Sequence, residues 1–76
     1  MKLEALKKNM VIFWNDSYKG AEILQYVGAD EEDADALVFI TLDHENKKIE
    51  PGMWYVVSKG RFKDWMKNHF MEVLKK

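Results

Sequence analysis

The side chains able to do chemistry are sparse in this chain, and their spacing argues for binding rather than catalysis. The histidines are His44 and His69, there is no cysteine, and the acids concentrate in the run Asp30-Glu31-Glu32-Asp33-Ala34-Asp35. Nucleophilic catalysis needs a Ser, Cys or Thr beside a base that a third group orients. No spacing in the sequence links either histidine to such a nucleophile or to a metal-binding carboxylate. His44 falls at the tip of an expected hairpin. His69 falls on an apolar helical stripe, where it reads as a satisfied histidine at the edge of the core. The expectation is a protein that is not an enzyme, with no catalytic residue, cofactor or metal.

Oxygen-rich loops suit a hard cation such as calcium, but the acidic run lacks EF-hand spacing and has no Gly at its centre. It reads as a solvated loop, or as a docking patch for a basic partner, raising the rate of encounter more than affinity. Lys59-Gly60-Arg61 precedes a helical pattern, where backbone amides attract phosphate. With Lys63 and Lys67 it forms the basic patch best placed to touch nucleic acid. Stacking aromatics lie close by, but Phe62 and Trp65 are expected in the core. Trp14, Tyr18 and Tyr26 remain as exposed aromatics, a residue class enriched at binding hot spots.

The chain has 76 residues and 47% hydrophobic residues, including three Trp, four Phe and three Tyr. That supports one small domain over residues 1–76 and argues against disorder. Without cysteine, neither disulfides nor thiolate zinc sites are available, which points to the cytoplasm. Met1–Lys8 lacks the apolar core of a signal peptide, and the runs Met10–Trp14 and Ala36–Ile40 are too short to cross a bilayer. Charge is unevenly spread. Residues 9–58 hold three Lys against ten acids, whereas residues 59–76 hold six Lys or Arg against two acids. A nucleic-acid-binding domain is usually basic overall, and the net charge here is −1.

Lys2 to Asn9 fits one or two helical turns, with Asn9 as a stop or turn residue. Strands are expected at Met10–Trp14, Ala21–Val27, Ala36–Asp43, Lys48–Glu50 and Met53–Ser58. Asn15-Asp16-Ser17 supplies turn chemistry. His44-Glu45-Asn46-Lys47 is expected as a hairpin turn that sets Asp43 opposite Lys48 as an ion pair. Pro51-Gly52 fits a type II turn. From Arg61 to Lys76, Phe62, Trp65, Met66, His69, Phe70, Val73 and Leu74 recur at helical spacing, with Asp64 in the first turn.

The expected class is mainly β with a C-terminal α-helix (α+β): a strongly bent five-stranded antiparallel sheet over about residues 10–58 and a helix over about 61–76. Several strands are apolar on both faces, so both faces should be covered, one by curling of the sheet and the other by the helix.

The run Trp14-Asn15-Asp16-Ser17-Tyr18-Lys19-Gly20-Ala21-Glu22-Ile23 resembles SH3-like barrels of the Tudor kind. In that family a strand ends near an aromatic, an acidic-polar turn follows, and a second aromatic precedes an Ala-x-Ile/Val strand. The resemblance implies a five-stranded barrel that binds methylated Lys or Arg in an aromatic cage. Trp14 and Tyr18 are the cage positions that carry over.

The leading functional expectation is a non-enzymatic protein-interaction module, a small regulatory or inhibitory accessory protein of the kind common among bacteriophages. Its contact residues are Trp14, Asp16, Tyr18, Asp30, Glu31, Glu32, Asp33 and Asp35, and its partner is another protein with a basic surface. The alternative is a nucleic-acid-binding barrel using Lys59, Arg61, Lys63 and Lys67. A third possibility is a homo-oligomer formed through the helix face or an open strand edge. No membrane partner is expected.

Overall fold

The computed structural model describes residues 1–16 and 20–76. A 3-10 turn, Leu3–Ala5, precedes strands β1 (Val11–Asp16), β2 (Gly20–Ala29), β3 (Ala36–His44) and β4 (Trp54–Ser58). Helix α1 (Lys59–Asn68) and strand β5 (Phe70–Lys75) complete the chain. All pairings are antiparallel, and the strands lie in the order β4-β3-β2-β1-β5. The sheet is not closed, and the expected α+β class with five antiparallel strands and a packed helix holds.

One strand and the extent of the helix differ from expectation. Lys48–Glu50 forms no strand; Ile49 N–H instead donates to Asn46 O in a turn. The helix ends at Asn68 rather than Lys76, and Phe70–Lys75 pairs with β1. Helix start follows from Ser58, whose hydroxyl accepts from Arg61 N–H at 3.1 Å as an N-cap. Asp64 therefore lies beyond the first turn.

Side-chain alternation defines one inner face. Ile12, Trp14, Leu24, Tyr26, Leu37, Phe39 and Val57 are all buried on it. Helix α1 seals this face: Phe62 is fully buried and stacks on Phe39 at 5.1 Å, while Trp65 stacks on Trp14 at 4.4 Å. Two rings thus fasten the helix to β3 and β1 together.

The outer face is not covered as expected. Trp54, Val56 and Phe70 expose 62%, 61% and 58% of their surface, and Phe13, Ile23, Val38 and Ile40 are only half-buried. A single ten-residue helix can cover only one side of the sheet, and here it covers the face that carries Trp14 and Phe39. Among the described residues, no helix is long and apolar enough to cross a membrane.

Candidate functional site

The inner face turns polar at one end. There β1 ends at Asp16, β2 begins at Gly20, and β3 ends at His44. Glu22 pairs with Trp14 across β1 and β2 and with His44 across β2 and β3, so the three stand in a row. A register shift between Ile23 and Leu24 on β2 decides which end residue of β3 points inward. Strict alternation after Thr41 would turn Asp43 in. The bulge skips one position, so Asp43 is exposed and His44 is 5% exposed.

These residues border a cavity of about 490 Å³, lined also by Asn46, Ile49, Tyr55, Arg61 and Trp65. Its size is typical of ligand pockets, and polar groups converging in an aromatic-walled cleft mark a binding site by default. Asp16 and Glu22 are 8% and 3% exposed. Thr41, itself buried, donates its hydroxyl to Glu22 Oε2 at 3.0 Å. Tyr55 also bonds Glu22. Burial first, then the Glu22 charge and that hydrogen bond, push the Tyr55 phenol above its ordinary value.

His44 Nδ1 accepts from Asn46 N–H at 2.9 Å, so the proton of neutral His44 sits on Nε2. One wall is the Trp14–Trp65 stack, with the rings inclined by 19°. Trp14 Nε1 donates to His69 Nδ1 at 3.0 Å, which is the partner the sequence required of a satisfied core-edge histidine. Across the sheet, Glu45 reaches back so that its Oε2 accepts from Ala21 N–H at 2.8 Å, fixing the β3–β4 loop over the cavity end of β2.

Trp14 and Asp16, named from sequence as contact residues, both line this cavity, whereas Tyr18 lies outside the described residues. Trp14 is not an exposed aromatic: it is 5% exposed and one face lies against Trp65. Tyr26 is likewise buried beneath the helix side of the sheet, against Phe39. The acidic run does not join Trp14 and Asp16 on one surface. It connects β2 to β3 at the far end of β2, ten residues from Gly20, a path of about 33 Å at 3.3 Å per residue. There Glu31, Glu32, Asp33 and Asp35 are exposed, while Asp30 and Asp33 carboxylates accept from Glu32 and Asp35 amides and shape the loop.

The basic patch is divided as well. Lys59, Lys63 and Lys67 share one helical stripe, while Arg61 lies about 200° around the axis from Lys59 and reaches the cavity rim. Among the described residues, no group of three or more His, Asp or Glu side chains is arranged to hold a metal ion. Glu22, His44, Tyr55 and Trp65 are cavity residues that the sequence did not single out as such. Glu22 alone had a legible signal, because it shares a strand face with Leu24 and Tyr26.

Comparisons with protein families, with curated proteins and with solved structures find no match to this chain.

Proposed function

We propose that this protein is a non-enzymatic interaction module that receives a basic side chain of a partner protein in the cavity lined by Trp14, Asp16, Glu22, Tyr55 and Trp65. The observation that carries this reading is the pair of carboxylates, Asp16 and Glu22, almost withdrawn from water in an aromatic-walled cleft. A Lys or Arg head group can add charge-assisted hydrogen bonds to carboxylate oxygens at the cavity wall and gains further from the aromatic walls.

The strand order, with the helix between β4 and β5, is also compatible with an opened SH3-like barrel of the Tudor kind. That resemblance favours a methylated Lys or Arg as the entering group. A module of this type acts by occupying a partner's surface, which is how a small cytoplasmic regulatory or inhibitory accessory protein works. The nucleic-acid reading has less support, since Arg61 stands apart from Lys59, Lys63 and Lys67.

Calorimetric titration with Lys- and Arg-containing peptides, methylated and unmethylated, tests the proposal against Glu-rich controls. Basic peptides should bind and acidic ones should not. Glu22→Gln keeps the side-chain shape and should weaken binding roughly tenfold, the equivalent of one charge-assisted bond. Arg61→Ala removes a competing cation at the rim and should tighten binding. Equal affinity for acidic and basic peptides, or indifference to Glu22→Gln, would refute the reading.

A further inference from the structure

We infer that β4 is a self-association edge, pairing antiparallel with β4 of a second copy about a two-fold axis near Val56. The sheet ends in β4 on one side and β5 on the other. Natural edge strands are usually blunted by charge, proline or covering elements. β5, Phe-Met-Glu-Val-Leu-Lys, carries Glu72 and Lys75; β4, Trp-Tyr-Val-Val-Ser, carries neither charge nor proline.

The backbone groups are also aimed correctly. Thr41 N–H donates to Met53 O at one end of β4, and Lys59 N–H donates to Asp35 O at the other. Ladder alternation then turns Tyr55 and Val57 toward β3 and leaves the N–H and C=O groups of Trp54 and Val56 along the open edge. The side chains of those same two residues are 62% and 61% exposed on the outer face. Pairing would satisfy the edge, set Val56 against its counterpart and lay Trp54 across from Ser58 of the second copy.

The uncharged edge is its own complement, and charge sets the direction of pairing. The acidic loop precedes β3 and lies at the C-terminal end of β4, where Lys59 meets Asp35. The β3–β4 loop lies at the other end, and its Lys47 and Lys48 are balanced by Glu45 and Glu50. An antiparallel two-fold pair keeps the two acidic loops apart and sets each beside the other copy's uncharged-on-balance β3–β4 loop, with Lys48 within it. A parallel pair would set the acidic loops side by side. Closed two-fold dimers are also the commonest homo-oligomers. Val56 also borders the cavity, but the pairing uses its edge backbone and does not depend on what enters there.

Sedimentation equilibrium of the whole chain over a wide concentration range tests it. A monomer–dimer equilibrium is expected. Val56→Lys places like charges opposite each other at the axis, and should weaken association at least about tenfold, with an unchanged circular dichroism spectrum and melt. Val56→Glu should do the same, and an equimolar mixture of the two variants should regain the dimer as a mixed pair. Because the chain has no cysteine, Val56→Cys should cross-link only to its own counterpart under oxidation, within disulfide reach of an axial pair. Glu72→Lys on β5 should leave the dimer intact. A monomer at every concentration, failure of the mixed pair or the cross-link to form, or rings and filaments that Glu72→Lys abolishes would each overturn the inference.

Discussion

Trp14 Nε1 donates to His69 Nδ1 across 3.0 Å, joining the inner strand β1 to the residue that separates α1 from β5. The indole also stacks on Trp65 at 4.4 Å, so one side chain fixes where the helix lies and where it stops. His69 N–H closes the last helical turn by donating to Trp65 O at 2.8 Å. His69→Ala should leave the Trp14 N–H without its acceptor and cost about 1–3 kcal/mol, read as a lower urea midpoint. A double-mutant cycle with Trp14→Phe should show coupling of roughly 0.5–1.5 kcal/mol. Additive losses would mean that the bond contributes nothing.

The second fastening is apolar. Phe62 is 0% exposed and stacks on Phe39, also 0% exposed, with the rings inclined by 20°. Phe62→Ala should cost about 3–5 kcal/mol, a large share of the stability of a domain this small. Phe62→Leu, which keeps most of the volume, should fold with a clearly lower thermal midpoint.

Glu45 clamps the cavity end by occupying the space beside Gly20. A Cβ on Gly20 would stand 2.7 Å from Glu45 Oε2, and Gly20 has φ of +97°. Gly20→Ala therefore combines backbone strain with loss of the Glu45–Ala21 bond, and should destabilise by more than about 1 kcal/mol. Gly52, at φ +92° with nothing within 4 Å of its would-be Cβ, is the control. Gly52→Ala should show the backbone cost alone, and equal effects at the two sites would argue against the clamp.

The sequence made the first four strands legible because their alternation and turn residues agree. Asn9 has the positive φ expected of a turn, and Gly52 has that of a type II turn. The tail was ambiguous: Phe70, Met71, Val73 and Leu74 satisfy a helical period and a strand period alike. Met, Glu, Leu and Lys favour helix, but pairing of Met71 with Trp14 and of Val73 with Ile12 decides for strand. Ser58 was a readable cap signal for the helix start. The cavity was half legible. Trp14, Asp16 and Glu22 follow from strand alternation, whereas His44 faces inward only because of a bulge, and sequence alternation carries no trace of that. Tyr55 and Trp65 reach the site through the fold of distant elements.

Alkali should loosen the cavity before the rest of the core. Burial chiefly, with the Glu22 charge and hydrogen bond, raises the Tyr55 pKa above 10.0. The phenol is thus favoured in the folded state; its contribution is complete below the unfolded value and is lost as pH rises through the folded one. Tyr26 shifts the same way by burial alone. Urea midpoints should fall as pH rises past about 10, and less steeply in Tyr55→Phe. Phenolate absorbance should show Tyr55 ionising at lower pH in Glu22→Gln.

Asp43 and Lys47 form an ion pair at 3.2 Å in place of the expected Asp43–Lys48 pair. The Lys47 hydrogen bond, then that from His44 N–H, lowers the Asp43 carboxyl. The sign gives stability above the unfolded pKa, lost as pH falls through the folded one. With both side chains mostly in water, screening leaves little to lose. Asp43→Asn should leave the neutral-pH urea midpoint unchanged within error.

Under the proposed function, a basic partner group enters between Asp16, Glu22 and Tyr55. Heteronuclear NMR of labelled protein titrated with a Lys- or Arg-containing peptide tests it most directly. Saturable shifts should concentrate at Glu22, His44, Tyr55 and the Trp65 indole N–H, and leave the Asp30–Asp35 loop and Lys63–Lys67 still. Shifts confined to that loop or to the helix lysines, or no saturable shift at all, would contradict it.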